Sequence, residues 1–419
     1  MLPVIIGAAL LVALFAWPGR AETPARSSAD WVRNAVVYEV YLRGFSTNSS
    51  LAELQARLPE LKKLGVNVVW LMPIHPTGKE KRKGSLGSPY AVQDFYAINP
   101  EFGSLDDFRS LVKATHDAGM KIIIDLVINH TAWDNALVKQ HPDWYRHDKA
   151  GQIVFPANWE DVAHLDYRSA ELRKWMTEMM TYWVRDVGID GFRCDVAGMV
   201  PLDFWEPVRA ELEKVKPVMM LAESSEPEQH VRAFDLTYAW NLRDALVEVL
   251  RKGKPATLIA QTLSEEQKKY PVGSLRLRFT SNHDQNAWES AAIELYGPAA
   301  KAAAVLAYTL PGVPLVYNGD EIGNPTKLPL FEKVAIDWKS DPSGMRNFYE
   351  ELFATRRQFR ALVDGDIKFL RTDSVVVFVR ETKDERVLVA VNVTGREQRV
   401  KLEDDVVLPA YGYRIARTK

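Results

Sequence analysis

Residues 188–199 read GIDGFRCDVAGM, an apolar run that carries an arginine and an aspartate two positions apart. Side chains alternate along a strand, so Phe192, Cys194 and Val196 are expected on one face and Arg193 and Asp195 on the other. The apolar face suits covering helices, and the charged face suits the inside of a barrel near the carboxyl end of its fourth strand. Taken alone, the pair reads equally well as a buried structural ion pair, because such pairs argue weakly for stability. The rest of the chain decides between the two.

Seven more strand-like runs surround this one: AVVYEVYLRGF (35–45), VNVVWLMPI (66–74), KIIIDLVIN (121–129), VMMLAES (218–224), AFDLTYAW (233–240), LRLRFTSN (275–282) and VPLVYNG (313–319). Helical patterns at 51–64, 105–118, 170–187, 202–215, 241–267 and 298–310 separate most of them, and another at 345–359 follows the last. Alternating strands and helices mean βα units, and eight units fit an α/β fold, the (β/α)8 or TIM barrel. A doubly wound open sheet is the alternative. The barrel is expected over residues 22–361, with one insertion at 73–104 after the second strand and a short one at 131–168 after the third. Residues 362–419 alternate in strand fashion between polar turns and predict a small C-terminal antiparallel β domain.

With 419 residues, 47% hydrophobic and 26% charged, the chain is long and apolar enough for a large core and a smaller one. Its net charge of −2 offers no basic field for a polyanion, and its dense charge run, KEKRKG (79–84), mixes signs, so nucleic acid is set aside as a partner. Residues 1–21 read as a signal peptide, with an apolar run over 2–17 and small residues at Gly19 and Ala21, which predicts export to the periplasm or the medium. No Lys or Arg precedes the run, so an uncleaved membrane anchor is the alternative, although the run falls short of the ~20 residues a spanning helix needs. Cys194 is the one cysteine, which leaves no internal disulfide; its face of the strand makes it a core residue rather than a nucleophile.

The strand ends carry the chemistry. Asp125 and His130 close the third run, Glu223 the fifth, and His283 and Asp284 the seventh, so carboxylates, histidines and Arg193 converge on one rim. DLVINH (125–130), GFRCDVAGM (191–199), LAES (221–224) and FTSNHD (279–284) resemble, in order, the four signature regions of the α-amylase family of glycoside hydrolases, family thirteen. GSPYAVQDFYAINPEFGSLDDF (87–108) and LPGVPLVYNGDEIG (310–323) resemble further stretches of the same family. The resemblance implies a retaining hydrolase of α-1,4-glucosidic bonds in α-glucans and maltooligosaccharides. By position it makes Asp195 the nucleophile, Glu223 the general acid/base and Asp284 the third carboxylate, with Tyr90, His130, Arg193 and His283 lining the same subsite. An α-glucosidase, a cyclomaltodextrinase or a 4-α-glucanotransferase uses the same groups. A silent carbohydrate-binding or partner subunit has no need to keep them.

Retaining glycosidases set two carboxyls about 5 to 5.5 Å apart, one to attack the anomeric carbon and one to protonate the leaving oxygen. The two must differ in protonation at one pH. Arg193 is expected to hold Asp195 ionised, while the apolar VMML approach and nearby carboxylates are expected to raise Glu223. Gly198 and Met199 stand where many members of the family carry a lysine and a histidine, which implies weak binding on the leaving-group side and efficiency that rises with chain length. Asn129 matches the family's calcium-ligating asparagine; calcium is the one cofactor the resemblance raises, and one neutral oxygen does not make a site for a cation that takes six to eight. Among the 12 tryptophans, Trp133 and Trp159 are the candidate sugar platforms, whereas Trp70, Trp175 and Trp183 sit in apolar patterns that predict core. His75, His116, His141, His147, His164 and His230 show no ligand spacing and are expected to be structural or solvated.

Overall fold

The computed structural model describes residues 21–370, 373–402 and 405–418, in which eight parallel strands close into a barrel. Nearly all of the expected signal peptide, residues 1–20, lies outside the described residues. The strands are β1 (Val37–Val40), β2 (Val68–Leu71), β3 (Lys121–Leu126), β4 (Gly191–Cys194), β5 (Met219–Ala222), β6 (Leu236–Tyr238), β7 (Leu275–Phe279) and β8 (Val313–Tyr317). They follow one another around the ring in chain order, and β8 pairs with β1 to close it, which rules out the open doubly wound sheet.

Each strand is short and buried on both faces. Inside the barrel Val37, Val68, Trp70, Ile123, Leu221, Leu236, Leu277 and Leu315 form one apolar plug. Outside, Val69, Ile122, Ile124, Phe192, Cys194 and Met220 pack in a second cluster with residues of the helices. Burying a side chain of this size stabilises by roughly 1.5–3 kcal/mol, so the alternation of each strand is held by both layers.

The helices start and stop on local signals. In α1 (Leu51–Leu64) the Ser50 side chain accepts from the Glu53 N–H, and Gly65 at φ 107 ends the helix. Ser104 and Asp107 form a reciprocal capping box on α2 (Leu105–Asp117). Ser169 caps α3 (Ala170–Tyr182), which passes into a π turn (Trp183–Val187) before Gly188 at φ 93. The stretch expected as one helix over 241–267 is two, α5 (Trp240–Lys252) and α6 (Thr257–Lys269), after α4 (Leu202–Val215). Gly253 at φ 70 takes the left-handed conformation that ends α5, and Pro255 follows it. Then come α7 (Ala300–Thr309) and α8 (Met345–Gln358).

The insertion after β3 begins with His130–Ala132, paired antiparallel with Val162–His164. It is joined to the insertion after β2 by the Ala132 N–H to Val92 O bond and by the Lys83–Asp161 ion pair at 2.7 Å. Beyond the barrel, Asp366–Leu370, Val375–Glu381, Arg386–Asn392 and Tyr413–Arg417 form an antiparallel sheet, with a separate hairpin of Gln398–Lys401 and Asp405–Leu408. Arg380 of this sheet donates to the carbonyls of Thr309 and Leu362 and so ties it to the end of α7. Among the described residues no helix is long and apolar enough to cross a membrane.

One glycine fixes where β4 can run. Gly191 has φ +142, and a Cβ there would lie 2.0 Å from the Met219 carbonyl oxygen of β5, a backbone atom that cannot move aside. Gly191→Ala is therefore expected to cost about 3 kcal/mol or more, measured as the shift of the urea unfolding midpoint. A cost below about 1 kcal/mol would contradict this account of the β4–β5 contact.

Candidate active site

Arg193 lies inside the barrel mouth with 0% of its side chain exposed. Its Nη1 donates to Asp125 Oδ1 at 2.8 Å and to Asp195 Oδ1 at 2.9 Å, and its Nη2 stands 3.0 Å from Glu223 Oε1. Its Nε donates to the Tyr238 hydroxyl at 3.2 Å, and Trp70, Tyr90 and Tyr238 ring the guanidinium at 5.4 to 5.8 Å. The Nη2–Glu223 contact is an ion pair without hydrogen-bond alignment. Strand pairing explains the convergence: Asp125 on β3 is in register with Arg193, which is in register with Leu221, two residues before Glu223.

Backbone groups complete the pair. The strand stops at Cys194, and Val196, expected on the apolar strand face, instead has φ 37 and ψ 45. A β-branched residue in this left-handed region is strained by roughly 1–3 kcal/mol, and here the turn directs the Val196 N–H to Glu223 Oε2 at 2.7 Å. The strand face is lost because the chain must turn to put that N–H against a carboxylate.

A second charged group adjoins the first. His283 is buried between Glu39 of β1, which meets its Nδ1, and Asp284, 3.5 Å from its Nε2. The Tyr90 hydroxyl bridges the two groups, 2.8 Å from His283 Nε2 and 3.2 Å from Asp125 Oδ2, with its ring stacked on the imidazole. Asp195, Glu223, Asp284, Arg193, His283 and Tyr90 are thus brought to one place. His130 is buried at its border, hydrogen-bonded to the Tyr90 backbone carbonyl and edge-on to Trp159.

The electrostatics differ from expectation at Asp195. Burial and the neighbouring Glu223 push its carboxyl well above the usual carboxylate range, although Arg193 pulls it down. The reason is that one guanidinium serves three carboxylates. Burial also raises Asp125, to about 6, against the pull of Arg193 and His283. Interacting carboxyls of this kind titrate as a set rather than singly. Arg193 itself is held above its ordinary value: burial opposes its charge, but Asp125 and Glu223 more than offset this. Burial lowers His130 to about 4, so it is neutral at neutral pH and can donate or accept.

The platform candidates separate. Trp133 donates its indole N–H to Glu160 O and has the Lys81 ammonium 3.6 Å over its ring, so that face is covered, whereas Trp159 stands beside His130. Trp70 and Trp183 are buried as expected, and Trp175 is half-buried against the core. Gly198 lies in a 3-10 turn with an ordinary φ, where a Cβ would meet only Ser224 Oγ at 3.3 Å, and Met199 beside it is exposed.

The residues around Asn129 do not fit a calcium ion. Its side-chain nitrogen faces His130 Nδ1 at 3.2 Å, and the neighbouring carboxylates are taken by cations, Asp161 by Lys83 and Asp166 by Arg168. Among the described residues no group of three or more His, Cys, Asp or Glu side chains could hold a metal.

The sequence matches the family described as alpha amylase, catalytic domain, over residues 44–164 and 136–364. The chain belongs to the α-amylase family. It is 27% identical to an α-amylase of Haloarcula japonica over 89% of this chain and 57% of that protein, so it spans little more than half of that relative. It is 25% identical to a cyclomaltodextrinase of Thermoanaerobacter pseudethanolicus, over 93% of this chain and 75% of that one. The crystal structure of a maltogenic α-amylase from Thermotoga neapolitana superimposes with a TM-score of 0.83 at 30% identity, covering 92% of this chain and 97% of that one.

Sequence reasoning missed Glu39 and Tyr238 as parts of the site. The alternation in VVYEVY carried a signal for the first, because Glu39 shares the inward face with Val37. Nothing in AFDLTYAW distinguishes Tyr238 from an ordinary barrel aromatic.

His283 sets a pH dependence. Burial alone would lower it, but Asp284 and Glu39 raise it from 6.5 to about 9. Its protonated form therefore contributes stability that is fully present below about pH 6.5 and is lost as pH rises through about 9. The gap in melting temperature between wild type and His283→Gln is expected to shrink between about pH 6 and about pH 9.5. A gap that widens over that range would contradict the assignment of the charge to His283.

Proposed function

We propose that this α-amylase-family protein hydrolyses α-1,4-glucosidic bonds of α-glucans and maltooligosaccharides with retention of configuration. The observation that carries the reading is Arg193, which holds Asp195 and Glu223 on neighbouring nitrogens of one planar guanidinium. That arrangement suits the short carboxyl separation, about 5 to 5.5 Å, of retaining enzymes. In the first step Asp195 Oδ2, the oxygen not bonded to Arg193, attacks the anomeric carbon as the glycosidic bond breaks and Glu223 gives its proton to the leaving oxygen. In the second step Glu223 takes a proton from water, whose oxygen attacks the same carbon and frees Asp195. Asp284, His283 and His130 hold the sugar hydroxyls, and Tyr90 offers its ring to the sugar face.

Opening of cyclomaltodextrins or transfer between glucans is the second reading. The cyclomaltodextrinase relative supports it, and the same residues serve it. The apolar leader supports export, which is part of the proposal.

Asp195→Asn and Glu223→Gln are each expected to lower kcat on maltooligosaccharides by about a thousandfold or more, with melting temperatures close to wild type. Proton NMR of the first products is expected to show the α-anomer. Activity within tenfold of wild type in either variant, or β-anomer first, would contradict the double displacement. The products from maltooligosaccharides of graded length and from cyclomaltodextrins separate the two readings.

A further inference from the structure

Trp288 is 61% exposed, more than any other large hydrophobic side chain among the described residues. It follows Asp284 by four positions, in a π turn (Gln285–Glu289), so its backbone stands roughly 6 Å or less along the turn from that of Asp284. The indole therefore stands in water four residues beyond one of the site's carboxylates.

The turn that carries it is fixed on every side. Asn282 Oδ1 accepts the N–H groups of Asp284 and Gln285 at 2.9 and 3.0 Å, and Asn286 Oδ1 accepts the Leu328 N–H at 2.7 Å. Glu289 is ion-paired to the buried Arg243, and Ala287 packs on the apolar cluster of Tyr41, Met72, Tyr317 and Leu328. Phe331 meets the indole at 5.9 Å and 63°, bracing it from one side. Phe331 is itself held by the Leu86 N–H to its carbonyl at 3.0 Å, and its neighbour Glu332 accepts the Ser85 N–H at 2.9 Å. Three barrel loops thus converge to fix the turn that carries the ring and the Phe331 that braces it, while most of the indole stays open to water.

We propose that Trp288, braced by Phe331, is a platform for a glucosyl unit of the substrate chain beyond the unit held at Asp284. The inference rests on the α-glucan reading of the site. A rigid aromatic face suits the apolar C–H face of a sugar ring, whose hydroxyls stay in water at its edge, and an immobile platform loses little entropy on binding. The platform continues directly from the carboxylate cleft along the same turn, which favours a chain running across the mouth over a separate protein partner. It makes Trp288 a determinant of chain-length preference, since contacts remote from the cleaved bond add transition-state binding.

The test is the ratio of kcat/KM for maltoheptaose to that for maltotriose in wild type, Trp288→Ala and Trp288→Phe. The ratio is expected to fall about tenfold in Trp288→Ala, mainly through KM, and to recover to within about threefold of wild type in Trp288→Phe. An active wild type whose ratio is within about twofold of that of Trp288→Ala overturns the platform and leaves the hydrolase reading standing. A wild type inactive on both sugars overturns the hydrolase reading, and the platform with it.

Discussion

A guanidinium sealed inside a barrel must be matched by carboxylates, and Arg193 is matched by three. Taking such ions from water costs several kcal/mol each, and removing the one cation, which would leave the carboxylates uncompensated, typically costs about 3–5 kcal/mol. Apolar side chains of the same volume would serve stability as well or better. Stability alone therefore gives no reason for the arrangement. One cation among Asp125, Asp195 and Glu223 leaves the group short of positive charge, and burial with mutual repulsion raises Asp195 and Asp125. Such a shortage keeps a proton within the coupled group, and the proposed double displacement requires that proton to sit on Glu223 when Asp195 attacks.

The fold supplies this group with a floor and walls. Below Arg193 the apolar plug of Val37, Trp70, Ile123, Leu221 and Leu315 denies water to the barrel interior, which strengthens every charge contact above it. Beside it, His283, whose protonated form Glu39 and Asp284 favour, presents a positive charge to Asp284. Backbone geometry rarely open to other residues lies beside these carboxylates: Val196 is left-handed and its N–H meets Glu223, while Gly191 lets β4 approach β5 closely enough to align Arg193 with Leu221.

All eight barrel strands, the two insertions and the C-terminal sheet were legible in the sequence, because burial on two faces writes itself as β-branched runs and capping residues mark the helices. The split of 241–267 was also written there, in Gly253 and Pro255, and the helical period on both sides masked it. Asp195, Glu223 and Asp284 were legible as charges at strand ends. The balance of charge among them was not, since Arg193 two positions from Asp195 on one strand face suggests a private pair, and only the fold brings Asp125 and Glu223 to the same guanidinium. Trp288 was not legible for a similar reason: whether a tryptophan is covered depends on the neighbouring loop, and Trp133, with Trp159 one of the two candidates by sequence, has a lysine over its ring.

The central claim is that Asp195, of the carboxylates gathered around Arg193, is the one that bonds to the sugar. A fluorinated α-glucosyl fluoride that slows the second chemical step traps this bond, and digestion followed by mass spectrometry locates it. The account predicts a single glucosyl adduct on the peptide containing Asp195, lost when excess acceptor sugar is added. An adduct on Glu223 or Asp284, or turnover to the β-anomer with no adduct at all, would contradict it.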